Sequence, residues 1–247
     1  MSRKLYLVIT AAGSGTRMGS ATPKQFLCLG GKAILQRTIE VFVRAVPDVK
    51  VVTVLPKDHM DQWKQYCLEN SFTQPQLLVE GGITRFHSVR NALARIPEGA
   101  IVAVHDGVRP LVSEELIRGM VAKMSSTRAL IPVIPSVDTL KLLSKDSEGH
   151  LQTIEGQAID RSQVWCAQTP QMFLSEDLKA AYAQAFDTSF TDDASVAAKA
   201  GIPLSWCEGE RYNLKITTKE DLRLAEALLH FQIWKGTDPQ NPESWLR

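Results

Sequence analysis

Apolar residues come in short runs along this chain, and polar segments with a helical period separate them. Leu5–Thr10 (LYLVIT), 49–55 (VKVVTVL), 76–79 (QLLV), 101–105 (IVAVH) and 129–134 (ALIPVI) are rich in β-branched side chains. A strand with one wet face alternates polar and apolar residues. Runs without that alternation predict burial on both faces, hence a parallel sheet covered by helices. Between the first two runs, segment 33–45 places Ile34, Leu35, Ile39, Phe42 and Val43 on one helical stripe. Segments 58–69, 84–96 and 114–124 also suit crossover helices. The alternation predicts an α/β fold: a doubly wound, mostly parallel, Rossmann-like sandwich. Ligands of such folds sit outside the carboxyl ends of the strands, so the residues just after each strand are where chemistry is expected.

The pattern breaks after Val133. Residues 136–160 are polar, alternate weakly and carry a turn-like Asp146-Ser-Glu-Gly149, which predicts a protruding β-hairpin arm. Helices are expected again at 175–186, 191–200 and 218–234, with a strand pair formed by 203–207 and 212–217. This reading gives one domain over 1–235 with its arm at about 136–160. Residues 236–247, polar and with two prolines, are expected to be a loose tail.

Composition narrows the classes. At 44% hydrophobic and 22% charged over 247 residues, the chain has the make-up of a soluble globular protein whose core needs no staple. Cys28, Cys67, Cys166 and Cys207 lie far apart, without ligand spacing for zinc, and suit a reducing compartment. The N-terminal apolar run is too short for a signal peptide, and no stretch reaches membrane-spanning length; a cytoplasmic location is expected, with no membrane partner. A net charge of +1 gives no general attraction to nucleic acid. An anionic ligand would have to be held by a few placed cations.

Such cations follow the first strand directly, in Ala11-Ala-Gly-Ser-Gly-Thr-Arg-Met-Gly-Ser-Ala-Thr-Pro-Lys-Gln25. Glycines at 13, 15 and 19 allow tight turns that expose backbone N–H groups to phosphate oxygens, and Arg17 and Lys24 add charge. The loop is not a dinucleotide fingerprint, because Met18 stands where the third glycine belongs. Nor is it a Walker loop, because no Gly-Lys-Ser/Thr follows. Its length from 13 to 24 is enough to wrap a triphosphate.

Further along, Asp106 follows the most apolar strand, and a hard carboxylate beside phosphates suits Mg2+. Arg109 stands three residues on, placed either to reach a substrate phosphate or to pair with Asp106. His105 reads as structural. Thr84 reads as the cap of a helix start that carries Arg85, and Thr191 as the cap of another. Lys215 alternates out of step with Leu214 and Ile216, off their apolar face.

These motifs together resemble one family. A-A-G-x-G-x-R-M-G followed by P-K-Q resembles the signature loop of 2-C-methyl-D-erythritol 4-phosphate cytidylyltransferases, enzymes of the non-mevalonate route to isoprenoids; ribitol-5-phosphate cytidylyltransferases are close relatives. Gly81-Gly-Ile-Thr-Arg-Phe-His-Ser-Val-Arg90 is similar to G-G-x-x-R-x-x-S-V, although many relatives carry a polar residue where Ile83 stands. His105-Asp-Gly-Val-Arg-Pro110 resembles H-D-A-V-R-P, with Gly107 replacing alanine. Segment 160–173 resembles R-x-x-L/V-W-x-x-Q-T-P-Q-x-F, Thr191-Asp-Asp-Ala-Ser195 resembles T-D-E-A, and 211–218 resembles N-I-K-I-T. The likeness covers 5–231.

The resemblance implies transfer of CMP from CTP to the acceptor phosphate, with release of pyrophosphate and with Mg2+ as cofactor. Arg17, Lys24 and Lys215 would be the catalytic cations. Ala11, Ala12, Gly13, Ser14, Gly15, Thr16, Gly82, Ile83, Arg85, Ser88 and Asp106 would bind the nucleotide, Asp106 also holding the metal. Arg109, Thr139, Arg161, Thr191 and Lys215 would bind the acceptor. The arm would exchange between the subunits of a homodimer, carrying Thr139 and Arg161 to the partner's site. Rival readings are ribitol 5-phosphate as acceptor, a nicotinamide-dependent enzyme (which Met18 counts against), and a nucleotide-binding module without turnover.

Overall fold

Side chains along β1 (Leu5–Thr10) point alternately into two separate cores: Leu7 and Ile9 into one, Val8 into the other. The same division runs along β4 (Lys50–Leu55) and β6 (Ile101–Asp106), which explains why these strands show no polar face. The computed structural model behind this description covers residues 3–13, 22–154 and 159–230. Sheet order is β5 (Gln76–Glu80), β4, β1, β6, β11 (Gln171–Leu174), β7 (Ala129–Pro135) and β10 (Trp165–Ala167). The first four are mutually parallel, and β11 runs antiparallel between β6 and β7. Helices α1 (Ile34–Ala45), α2 (Lys57–Glu69) and α4 (Glu114–Lys123) cover one face, through residues such as Phe42, Trp63 and Met120. On the other face lie α3 (Arg85–Leu93), α5 (Ser175–Tyr182) and α6 (Asp193–Lys199), through Val89, Leu178 and Val196.

A third cluster seats α7 (Lys219–His230) against the short pair β2 (Cys28–Leu29) and β3 (Lys32–Ala33). There Leu228 and Ala225 meet Leu29, Ile34 and Val108. The doubly wound α/β expectation holds. Beyond it, β8 (Leu143–Lys145) and β9 (Leu151–Thr153) pair antiparallel as a separate, exposed two-stranded sheet across the Asp146–Gly149 turn.

Three expectations change. Segment 203–207 does not pair with 212–217: β12 (Ser205–Glu208) joins the main sheet parallel to β7, and 212–217 is not a strand. Its carbonyls and amides are satisfied singly instead, as where Ile216 N–H donates to the Val108 carbonyl. The cap of α6 is Asp192, in a reciprocal box with Ser195; Thr191 only donates its backbone N–H to Ser195 Oγ. Segment 165–174, read from sequence only as a motif, supplies two strands. The tail 236–247 lies outside the described residues.

Candidate active site

The carboxyl ends of β1, β5 and β6 open into one cavity of about 440 Å³. The register explains the meeting point, because Thr10 and Asp106 are direct partners at the ends of adjacent strands. Beyond those ends, the Ala11 N–H donates to the Val54 carbonyl, Gly81 N–H to Leu55 and Gly107 N–H to Thr10, so the loops leave the sheet in fixed directions. This is where a doubly wound sheet binds ligands.

Ala11, Ala12, Gly13, Lys24, Gly82, Ile83, Arg85, Ser88, Asp106 and Lys215, residues proposed from sequence, all line this cavity. Ser14, Gly15, Thr16 and Arg17 lie outside the described residues. Thr139, Arg161 and Thr191 are exposed and stand outside its lining; the Arg161 Nη1 donates to the Val137 carbonyl at 3.1 Å. Arg109 also lies off the lining. Its Nε donates to Asp106 Oδ2 at 3.2 Å and its Nη1 to the Asn213 carbonyl at 2.7 Å, the pairing alternative of the two.

Asp106 is the electrostatic centre. Its Oδ2 also meets Lys215 Nζ at 3.0 Å, and Oδ1 lies 3.4 Å from Thr10 Oγ1. Burial by itself would raise this carboxyl; Lys215, Arg85 and Arg109 outweigh it and hold the group well below the usual carboxylate range. Asp106 is therefore ionised at every physiological pH. Its neighbour His105 is fully buried, and desolvation pushes the ring down to about 4 against the pull of its hydrogen bond to the Arg109 carbonyl. The neutral ring has a consistent tautomer. Nε2–H donates to that carbonyl at 3.1 Å, and Nδ1 accepts from Thr169 Oγ1 at 3.0 Å. The same Oγ1 accepts from the Asp106 N–H at 3.1 Å, so His105 is a support beneath the site, as the sequence suggested.

On the opposite wall, Thr84 caps α3 and accepts from the His87 N–H. Ser88 Oγ accepts from the Gly82 N–H at 3.0 Å and donates to the Thr84 carbonyl at 2.9 Å, tying the 82–84 backbone to the helix. The approach is too close for a side chain at position 82. A Cβ there would collide with His87 Cβ and come within 3.1 Å of its carbonyl carbon. Gly82→Ala is expected to push α3 away from the wall, destabilising the protein by about 1–3 kcal/mol and weakening nucleotide binding. A thermal melt and a nucleotide titration both unchanged from wild type would contradict this.

Sequence reasoning gave no role to Thr10, Gln25, Thr84 or Val108 in the cavity lining. Gln25 carries the clearest function: it is buried and donates Nε2–H to the Ala11 carbonyl at 2.9 Å, joining the two ends of the Gly-rich loop. A polar residue inside the P-K-Q motif was its only sequence signal.

The charged residues on the described lining are Lys24, Arg85 and Lys215 with one carboxylate, Asp106. The surplus is positive, as an anionic ligand requires. Among the described residues no group of three or more His, Cys, Asp or Glu side chains could cage a metal by itself. One carboxylate beside the phosphates is nonetheless the donor type that suits Mg2+ carried largely by substrate phosphates and water.

A doubly wound sheet with a cation-rich cavity at its switch point is built to hold an anionic ligand such as a nucleotide. The family model for IspD, 2-C-methyl-D-erythritol 4-phosphate cytidylyltransferase, matches residues 5–231. A Bacteroides thetaiotaomicron protein of that name is 44% identical over 226 residues, covering 92% of this chain and 100% of the relative. Its Bacteroides fragilis counterpart is 44% identical over 90% of this chain and 98% of its own. The crystal structure of 4-diphosphocytidyl-2C-methyl-D-erythritol synthase from Anaerococcus prevotii superposes with a TM-score of 0.74 at 28% identity, covering 93% of this chain and 100% of that one. The chain belongs to the 2-C-methyl-D-erythritol 4-phosphate cytidylyltransferase family, and it is a nucleotidyltransferase.

Proposed function

We propose that this protein transfers CMP from CTP to 2-C-methyl-D-erythritol 4-phosphate and releases pyrophosphate, a step in isoprenoid precursor synthesis. The observation that carries the reading is the single cavity at the strand ends that Lys24, Arg85, Lys215 and Asp106 line together. In the reaction an oxygen of the acceptor phosphate attacks the α-phosphorus of CTP, a new P–O bond forms, and the bond to the β-phosphate oxygen breaks. The acceptor phosphate is already ionised, so no general base is required. Two anions must instead be brought together, and positioning with charge neutralisation supplies the rate.

In this reading Ala11, Ala12, Gly13 and the 82–88 wall hold cytosine and ribose, Lys24 and Arg17 hold the triphosphate, and Lys215 meets the acceptor phosphate. Asp106 would hold Mg2+ together with the nucleotide's phosphates, where the ion would neutralise triphosphate charge. Asp106 also restrains Lys215 through its 3.0 Å contact, keeping the ammonium at the cavity wall.

The protein acts as a homodimer in this proposal, with the β8–β9 arm delivering Thr139 and Arg161 to the partner's acceptor site. Exposure of Val137, Leu143, Leu151 and Ile154 on this segment supports that, because apolar side chains grouped on a projection call for a covering surface. Four free cysteines favour the cytoplasm, and no helix among the described residues is long and apolar enough to cross a membrane.

A pyrophosphate-release screen tests the reading. CTP and UTP are each offered with methylerythritol phosphate or ribitol 5-phosphate, with and without Mg2+. Release is expected only with CTP, methylerythritol phosphate and Mg2+ together; release with ribitol 5-phosphate alone would reassign the acceptor.

A further inference from the structure

Arg85 reaches the cavity from the first turn of α3, but the groups that fix its guanidinium belong to two other helices. Its Nη1 and Nη2 donate to Asp193 Oδ1 and Oδ2 at 3.0 and 2.5 Å. The Asp193 side chain has no exposed surface, and its Oδ1 also accepts the Tyr182 hydroxyl at 2.6 Å. Tyr182 is buried too, with its ring stacked 4.7 Å from that of Phe86, the residue next to Arg85. A carboxylate taken out of water is costly unless its lone pairs are matched, and here an arginine fork and a phenol match them.

The anchor is itself held firmly. Asp192 Oδ2 accepts from Gln171 Nε2 at 2.7 Å, while Gln171 Oε1 accepts from the Ala194 N–H at 2.8 Å, so α6 is tied to β11 on both sides of Asp193. Asp193 and Tyr182 are absent from the cavity lining, whereas Arg85 is part of it and keeps 30% of its side chain exposed. A guanidinium carries five N–H donors in one plane, and the contacts to Asp193 occupy only one edge of it.

We propose that Asp193 and Tyr182 are positioning residues for nucleotide binding, acting through Arg85 by aiming its remaining donors into the cavity. The proposal rests on the reading of that cavity as the CTP site. Two carboxylates compete for this guanidinium: Asp193, which it touches, and Asp106, whose field it feels. Asp193 wins because its contact is bidentate and the phenol orients it. Removing its charge leaves the pull of Asp106, and the guanidinium then turns toward the Lys215–Asp106 pair and away from the nucleotide.

The test is a double-mutant cycle read by calorimetric CTP titration. It uses wild type, Arg85→Ala, Asp193→Asn, Tyr182→Phe and each of the last two combined with Arg85→Ala; melting curves record stability separately. Asp193→Asn is expected to weaken CTP about tenfold and Tyr182→Phe about threefold, within the usual range for directly coupled residues. Neither is expected to change affinity further once Arg85 is alanine. A merely structural role would leave wild-type affinity in both single variants, or would produce equal losses in both backgrounds; either result overturns the proposal. If Asp193→Asn does not fold, Tyr182→Phe, which keeps the ring and its packing, decides on the same criteria. Unchanged CTP affinity in Arg85→Ala overturns the proposal alone, whereas a wild-type protein that does not bind CTP overturns the reading of the cavity itself.

Discussion

Lys24→Ala is expected to lower the turnover of CTP-dependent pyrophosphate release by about 10²–10³-fold while the fold stays intact. The cause is electrostatic: charge grows at the α-phosphorus as the second phosphate approaches, and removing one preorganised donor from such a site costs about 2.7–4 kcal/mol. The local fold explains why this lysine can do the work. It opens a single 3-10 turn, Lys24–Phe26, set by Pro23, and Gln25 locks that turn to the Ala11 carbonyl. Phe26 stacks on Trp63 with ring centroids 5.7 Å apart, so packing fixes the turn from below. An alanine at position 24 leaves all of these contacts in place. Arg17→Ala is expected to behave alike. Steady-state kinetics should show the loss mainly in kcat, since an interaction made in the transition state is the one removed. Near-normal turnover would refute the assignment.

Asp106→Asn is expected to damage both stability and turnover. The side chain keeps its shape but loses the charge that balances Lys215 at 3.0 Å and Arg109 at 3.2 Å, with Arg85 close by. Breaking a buried ion pair from one side costs up to about 3–5 kcal/mol; Arg109 stays largely buried and carries this cost, whereas the half-exposed Lys215 regains water. Turnover falls as well, since Lys215 loses its restraint and the metal loses its protein carboxylate. The sign of the pH effect follows from the depressed carboxyl. Its stabilisation is present in full above the ordinary carboxylate pKa and is lost only as pH falls through the lower folded value. The deficit of the asparagine variant should therefore be constant across neutral pH. Melting curves at pH 6, 7 and 8 check this, and a variant as stable as wild type would contradict the role of Asp106.

The strands were legible where burial on both faces makes them apolar throughout, and Leu5–Thr10 was read with its observed bounds. Segment 165–174 hid two strands because Trp165–Ala167 is exposed along its whole length and Gln171–Leu174 is only four residues long, with a buried glutamine beside Met172 and Phe173. Gln168 exchanges hydrogen bonds with the Glu210 backbone in both directions, and Gln171 bridges Asp192 and Ala194, which hydropathy scores as loop. The pairing of β12 with β7 was missed for a different reason. Local pattern favours the nearest strand in sequence, while the sheet had an open position beside a strand some 75 residues away.

Site residues followed the same divide. Lys24, Gly82 and Asp106 were readable because strand ends mark them. Arg85 was readable only as a motif position, since its partner Asp193 stands 108 residues away and no spacing rule connects them. The second acidic residue of Thr191-Asp-Asp-Ala-Ser195 was the one available hint, and by pattern alone it reads as a helix start.

A crystal structure of the protein with CTP and Mg2+ tests the central claim most directly. Cytosine should lie against residues 82–85, with the triphosphate passing between Lys24 and Arg17 and the α-phosphate facing the side of the cavity that holds Lys215. Nucleotide found elsewhere on the molecule, or a triphosphate turned away from Lys24 and Asp106, would contradict it.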